Sequence, residues 1–382
     1  MTHCCPAAWL VLLALSAAPQ IDNDTLARQA VEAERRGDFA GAVSAFLTLL
    51  RNGADSPELR NNLGIAYFEM HQFRPALRQF QTALKENPYS ATANLFAGLS
   101  LLNLQRPEQA LPYLQKAHRA QPADAAIVLA LARAEIASNQ LRLACDDYAE
   151  AVRINPQNAE GWYGLGITNR VLAEQQLKHS AEKAKTLLAA STEAMRRALQ
   201  LDPESVQAHM VLGESFRIAE RYDLAVQEYR AATEKQPNLS PAWAGLAAAY
   251  SASGDDRSAL QAASRAVDLD ANNADADSLM AGIYLRLGDY AKAEPYALRA
   301  LQLQPDLPSA QIVLAKIYLA KRQPEKALPE LQSAAKEDRD GTVYYLLATT
   351  LKQLGRTADA AAAMQRYKQL HGAHAAAMPG GK

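Results

Sequence analysis

A fixed spacing runs through this chain and limits the folds open to it. Pro88, Pro122 and Pro156 stand 34 residues apart; Pro203 follows after 47, Pro237 after 34, and Pro305 after 68, twice the period. Each of these prolines follows a polar residue. Alanine keeps the same ruler independently. Ala42, Ala76, Ala110 and Ala144 recur every 34 residues, Ser191 comes 47 later, and Ala225, Ala259, Ala293 and Ala327 resume the interval. Ala360 closes the series at 33. Two residue types that share a period, and stretch by the same 13 residues at the same place, mark an internal repeat. Repeats of this size bury their apolar faces only by stacking, so the chain grows along one axis and not around one core. The length of 382 residues is then no guide to domain number.

Between the landmarks the apolar pattern is helical. In the unit that opens at Pro57, Arg60, Leu63, Gly64 and Tyr67 share a face at three- and four-residue spacing. A turn at His71–Gln72 follows. Phe73, Ala76, Leu77, Phe80, Ala83 and Leu84 form the stripe of a second helix, which Asn87–Pro88 stops. Small residues at the contact let two antiparallel helices approach closely, ridge into groove. Ten units are expected, beginning near residues 23, 57, 91, 125, 159, 206, 240, 274, 308 and 341. Pro112, Pro295 and Pro329 fall inside second helices, where each forfeits a hydrogen bond and predicts a slight bend.

This pattern resembles the tetratricopeptide repeat, W-x2-L-G-x2-Y, then A-x3-F, then P. The chain reads Trp162-x2-Leu165-Gly166, Trp243-x2-Leu246-Ala247-x2-Tyr250, Leu63-Gly64-x2-Tyr67 and Leu212-Gly213-x2-Phe216. The later half is carried by Ala76-x3-Phe80 and Ala225-x3-Tyr229. Ala271 and Arg339 stand where proline would, and the last unit has Thr349 and Thr350 in place of its glycine. The resemblance implies an all-α fold, a right-handed superhelical solenoid of about ten helix-turn-helix repeats over residues 19–374. The signature aromatics Tyr67, Trp162, Trp243, Tyr250 and Tyr284 are expected to be packing residues. The fifth repeat, 159–205, carries the 13-residue insertion, within Val171–Ala190. It has no Gly or Pro and predicts about two extra turns on each helix, with a polar tip at Lys178–Lys183. Such an insertion is either a binding face or a solvated extension.

In this family the first helices line a concave groove that holds peptides. Carried over position by position, the partner-binding candidates are Ile65, Phe68, Leu99, Leu102, Arg133, Ile136, Ile167, Arg170, Glu214 and Arg217. The lining continues through Ala248, Ser251, Gly282, Leu285, Lys316 and Leu319. It is oily at first, then polar and small. The alternative is that its apolar members pack against one another between neighbouring first helices. The family's clamp for C-terminal carboxylates needs Lys and Asn at particular lining positions; Asn61 and Asn62 stand without the lysines.

No catalytic or metal-binding constellation emerges. Gly380-Gly381-Lys382 has no following helix to receive a phosphate. His71, His118, His179 and His209 lie in separate repeats, and His371 and His374 sit near the end of the chain, where residues 375–382 are expected to be a disordered tail. Cys145 reads as a buried packing residue. A net charge of -1 argues against nucleic acid as a partner. The expected function is a non-enzymatic scaffold for peptide or protein partners, with no cofactor. Alternatives are an accessory subunit of a separate envelope enzyme such as a glycosyltransferase, or a self-associating protein, a homodimer through the C-terminal repeat.

The N-terminus has its own pattern. Ala7–Ala18 is an apolar run followed by polar Gln20–Asp24. It is shorter than the roughly 20 residues that span a bilayer, and fits the core of a signal peptide over 1–18, although no Lys or Arg precedes it. Export to the periplasm or cell envelope is expected, with a cytoplasmic location as the alternative.

Overall fold

The computed structural model describes residues 22–177, 180–338 and 341–377. The expected leader lies outside the described residues, as do Lys178 and His179 of the insertion tip and residues 378–382 of the expected tail. Twenty helices and no strand occur among the described residues. They fall into two compact units, divided between Ala123 and Asp124.

The first unit contains α1 (Asn23–Arg35), α2 (Phe39–Arg51), α3 (Pro57–Glu69), α4 (Phe73–Glu86), α5 (Ala91–Asn103) and α6 (Pro107–Ala120). The second opens with α7 (Ala125–Ala137), α8 (Leu141–Ile154), α9 (Ala159–Gln176) and α10 (Ala181–Leu201). It continues through α11 (Val206–Ile218), α12 (Tyr222–Lys235), α13 (Ser240–Ser253), α14 (Asp256–Leu269), α15 (Ala274–Arg286) and α16 (Tyr290–Leu303). It closes with α17 (Pro308–Ala320), α18 (Pro324–Ala334), α19 (Thr342–Gln353) and α20 (Thr357–Ala377). Within each unit every helix packs on the next, and in the second unit α7, α9, α11, α13, α15 and α17 also touch in succession. In the second unit the first helices α7 to α17 thus form one row, with the second helices packed against it. The ten odd-numbered helices begin within one residue of the positions expected from the spacing.

The boundaries have local causes. Ser56, Ser90, Asp124, Asn158, Ser205 and Asn273 cap first helices, each side chain accepting a bond from a backbone N–H that has no partner within the helix. Each hairpin whose turn lies wholly among the described residues then reverses through a residue with positive φ. Gly37, Gly254, Gly288 and Gly355 do so freely, while His71, Gln105, Asn139, Glu220 and Arg322 adopt φ of 57–59°. The geometry is a Schellman close: the Gln72 N–H donates to the Tyr67 carbonyl at 2.9 Å, and the Arg221 N–H to Phe216 at 2.8 Å.

A second tie fastens four of the turns between repeats. At four of the six landmark prolines the side chain six residues later donates to the proline's carbonyl. Asn94 Nδ2 reaches Pro88 at 3.0 Å, Trp162 Nε1 reaches Pro156 at 2.9 Å, Trp243 Nε1 reaches Pro237 at 2.8 Å, and Gln311 Nε2 reaches Pro305 at 3.0 Å. The signature tryptophans therefore fasten the turn between repeats as well as fill space. Where Ala271 replaces the proline, Asp277 occupies the same register and instead accepts from Arg299 Nε at 2.6 Å.

The insertion lengthens both helices. α9 has 18 residues and α10 has 21, against 13 and 14 in α11 and α12. Five and seven of the extra residues are thus helical, and the turn between them takes the remaining one. Helices α6, α16 and α18 run on through Pro112, Pro295 and Pro329. α20 continues to Ala377, beyond the array's expected end at His374. Alanine's high helix propensity at Ala375–Ala377 accounts for the extension.

Candidate functional site

The candidate residues sit on first helices, but their surroundings differ between the units. In the first unit Ile65, Leu99 and Leu102 are half-buried on α3 and α5. Phe68 is half-buried too, and it is wedged between helices. Its ring lies edge-on to Phe73 of α4 at 5.3 Å and to Phe96 of α5 at 5.2 Å. Phe96 in turn stacks on Phe80 at 5.8 Å. Phe68 therefore contributes to packing, and a charge at this position would disturb three helices.

In the second unit Arg133 of α7 is exposed and lies 3.6 Å from Glu160 of α9. Ile136 is half-buried and packs on the cluster formed by Val128, Leu129, Ala132, Ala144 and Tyr148. Ile167 packs on the cluster around Met195, Leu212 and Phe216. Arg170 pairs with Glu174 one turn along α9, yet its Nε is buried and has no hydrogen-bond partner. Opposite, on α11, Glu214 and Arg217 form a two-pronged pair. Arg217 Nε donates at 2.7 Å and Nη2 at 2.6 Å.

Tyr229, from α12, completes this charged group by donating its hydroxyl to Glu214 Oε2 at 3.0 Å. Burial alone would raise Glu214, but the Arg217 guanidinium, then the Tyr229 hydroxyl, outweigh it and hold the carboxyl below its usual range. Burial, and next the Glu214 charge, push the Tyr229 phenol far above its ordinary value. The result is a fixed array of charge in which both carboxylate oxygens are occupied. In the sequence Tyr229 stands only as the aromatic of the Ala225-x3-Tyr229 half of the signature. A clue was available: a tyrosine stands where Phe80 stands four repeats earlier, and a buried phenol needs a polar partner.

A second buried group went unread. Glu135 of α7 is 4% exposed, and its Oε2 has no partner. Burial, then the charge and hydrogen bond of Asp147, then the charge of Asp146, raise its carboxyl to about 8. Tyr148 nearby is pushed up to about 12, first by burial and then by Glu160. Folded Glu135 thus keeps its proton to about pH 8, whereas in the unfolded chain it loses it near its ordinary 4.5. The stability tied to this group is fully present below about pH 4.5 and is lost as pH rises through about 8. A loss on the order of a few kcal/mol is expected across that window. Glu135→Gln, which mimics the protonated acid, should show a flatter melting temperature between those pH values. Equal pH slopes for the two proteins would contradict the assignment.

No group of three or more His, Cys, Asp or Glu side chains that could hold a metal ion occurs among the described residues. Cys145 is half-buried with its Sγ 3.6 Å from Asn169 Oδ1, and burial, then Asp146, push the thiol up. No helix among the described residues is long and apolar enough to cross a membrane.

Hairpins joined by left-handed turns, tied through landmark prolines and stacked in two layers, define a helical repeat scaffold. A tetratricopeptide repeat model matches residues 27–70, 61–125, 184–240 and 245–308, and a second model of the same repeat matches 284–348. These matches span more than half of the chain, which belongs to the tetratricopeptide repeat family. A curated relative, the BBSome complex member BBS4 of Bos taurus, is 27% identical over 194 residues, 49% of this chain. The chain spans about a third of that relative's length, 36%. Among solved structures, a tetratricopeptide repeat protein from Parabacteroides merdae is 16% identical with a TM-score of 0.56, covering 69% of this chain and 99% of that one. YrrB, described as having an unusual peptide-binding site, is 21% identical with a TM-score of 0.43, covering 52% of this chain and 95% of that one.

Proposed function

We propose that this protein is a non-enzymatic scaffold that binds peptide or protein partners on the faces of its first helices, after export to the cell envelope. The family supplies the class of activity. The observation that carries the site is Arg170, whose buried Nε lacks an acceptor on the same layer as the fixed Glu214–Arg217 pair. An orphaned guanidinium N–H costs free energy, and rotation of the half-buried Arg170 side chain would bring it to a partner's carbonyl or carboxylate. Half-buried Ile65, Leu99 and Leu102 offer apolar contact in the first unit.

Leu99→Glu and Arg170→Gln are the test variants, since Phe68 is committed to packing. Each should weaken capture of partners from envelope extracts about tenfold, with stability within about 0.5 kcal/mol of the parent. Unchanged capture by both variants would refute the groove as the docking surface. Export is tested by N-terminal sequencing of native protein. A mature start between Ala17 and Asp22 is expected, and a start at Met1 or Thr2 would reject it.

A second reading, self-association through the C-terminal repeat, has one observation in its favour. Tyr345 of α19 is 48% exposed and lies 5.4 Å, ring to ring, from Tyr367 of α20. Light scattering of the full chain decides it: a dimer that Tyr345→Lys converts to monomer supports this reading, and a monomeric parent rejects it.

A further inference from the structure

The 13-residue insertion does more than extend a hairpin. The added turns of α10 stand beside the closing turn of the next hairpin, and together they line a cleft of about 540 Å³. Its apolar lining comes from Leu177 and Leu188 on the insertion side and from Phe216 and Ile218 at the end of α11. Leu177 is 38% exposed and open to contact from the cleft. This cleft lies beside the hairpin turns and does not use Arg170, Glu214 or Arg217.

The charges at its edge are uneven in how they are matched. Arg196 and Arg221 both line the cleft, and their guanidiniums lie 6.0 Å and 5.7 Å from the centre of the buried Phe216 ring. Neither is in an ion pair among the described residues, and nor is Lys185 beside them. Of the acidic side chains present, Glu193 is already matched by Arg197 at 3.4 Å, which leaves Glu182 and Glu220 against three cations. Both arginines are exposed to solvent beside one apolar ring, so two guanidiniums without a carboxylate partner face the cleft. A carboxylate entering the cleft would accept their N–H groups.

We propose that this cleft is a second docking site, separate from the first-helix faces, for an acidic peptide segment. Its apolar side chains seat on Leu177, Leu188 and Ile218, and its carboxylates meet Arg196 and Arg221. The site depends on the insertion: Leu177 and Lys185 belong to the added residues, and Leu188 opens the ordinary part of α10.

The test titrates the full chain with two fluorescein-labelled peptides of equal length. One alternates Glu with Leu, and the other has Lys at each Glu position. The Glu/Leu peptide should bind about tenfold or more tightly than the Lys/Leu peptide. That advantage should vanish in the Arg196→Gln/Arg221→Gln double variant and fall in Leu177→Asp, whose exposed site cannot unfold the core. Leu99→Glu should leave it unchanged, which separates this site from the first-helix reading. Equal affinity for the two peptides, no binding of the Glu/Leu peptide, or full retention of its binding by a folded double variant would overturn the proposal. So would loss of binding in Leu99→Glu with retention in the other two variants.

Discussion

Phe80→Ala is expected to destabilise the first unit by about 3–5 kcal/mol. The ring is fully buried and stacks on Phe96 of the following repeat. It also covers Gly64 on its own hairpin partner, where even a Cβ would come within 2.6 Å of Phe80 Cε1. Gly64 has no side chain with which to fill the vacated space, so the cavity would stay open. Stability in a stacked array is a sum of neighbour terms, and this one side chain serves the contacts of α4 with both α3 and α5. Urea unfolding followed by circular dichroism, with hydrogen exchange to locate the loss, measures the effect. A change below about 1 kcal/mol would mean that the helices close over the gap.

Gly245→Ala should cost about 2–3 kcal/mol in the second unit by overpacking. The Tyr229 ring lies between two glycines: a Cβ at Gly245 would stand 2.3 Å from its Cε1, and one at Gly213 would stand 3.0 Å from its Cδ2. The hydroxyl is also fastened to Glu214, so the ring cannot slide away without breaking that bond. The two constraints are coupled, and their coupling is measurable. In a double-mutant cycle, Gly245→Ala should cost less on a Tyr229→Phe background, because the untethered ring can shift. Strict additivity would show that the hydrogen bond does not hold the ring in place.

Much of the molecule follows from local pattern. The starts of α9, α11 and α15 are legible because caps, turns and apolar periodicity act within a few residues, and the repeat supplies ten trials of the same signal. The helical reading of the insertion follows from its lack of Gly and Pro. Phe68 was less legible. Its position on the helix implies a groove, but the edge-on contacts with Phe73 and Phe96 depend on how α3 meets α4 and α5. The division between Ala123 and Asp124 has no counterpart in the spacing, which runs unchanged from Pro122 to Pro156.

The sequence by itself determined the repeat, its period, the helices and the family, because each rests on interactions between residues close in the chain. Tertiary structure alone decided which polar groups share an environment. Glu214 meets Tyr229 across 15 residues, Asp277 meets Arg299 across 22, and Arg196 and Arg221 converge on Phe216 from α10 and from the turn before α12. A helix face is known from periodicity, but the side chain opposite it is set by the crossing of two helices and by the volume of what lies between them. Charge, burial and orphaned donors are properties of that crossing, and so are the sites built from them.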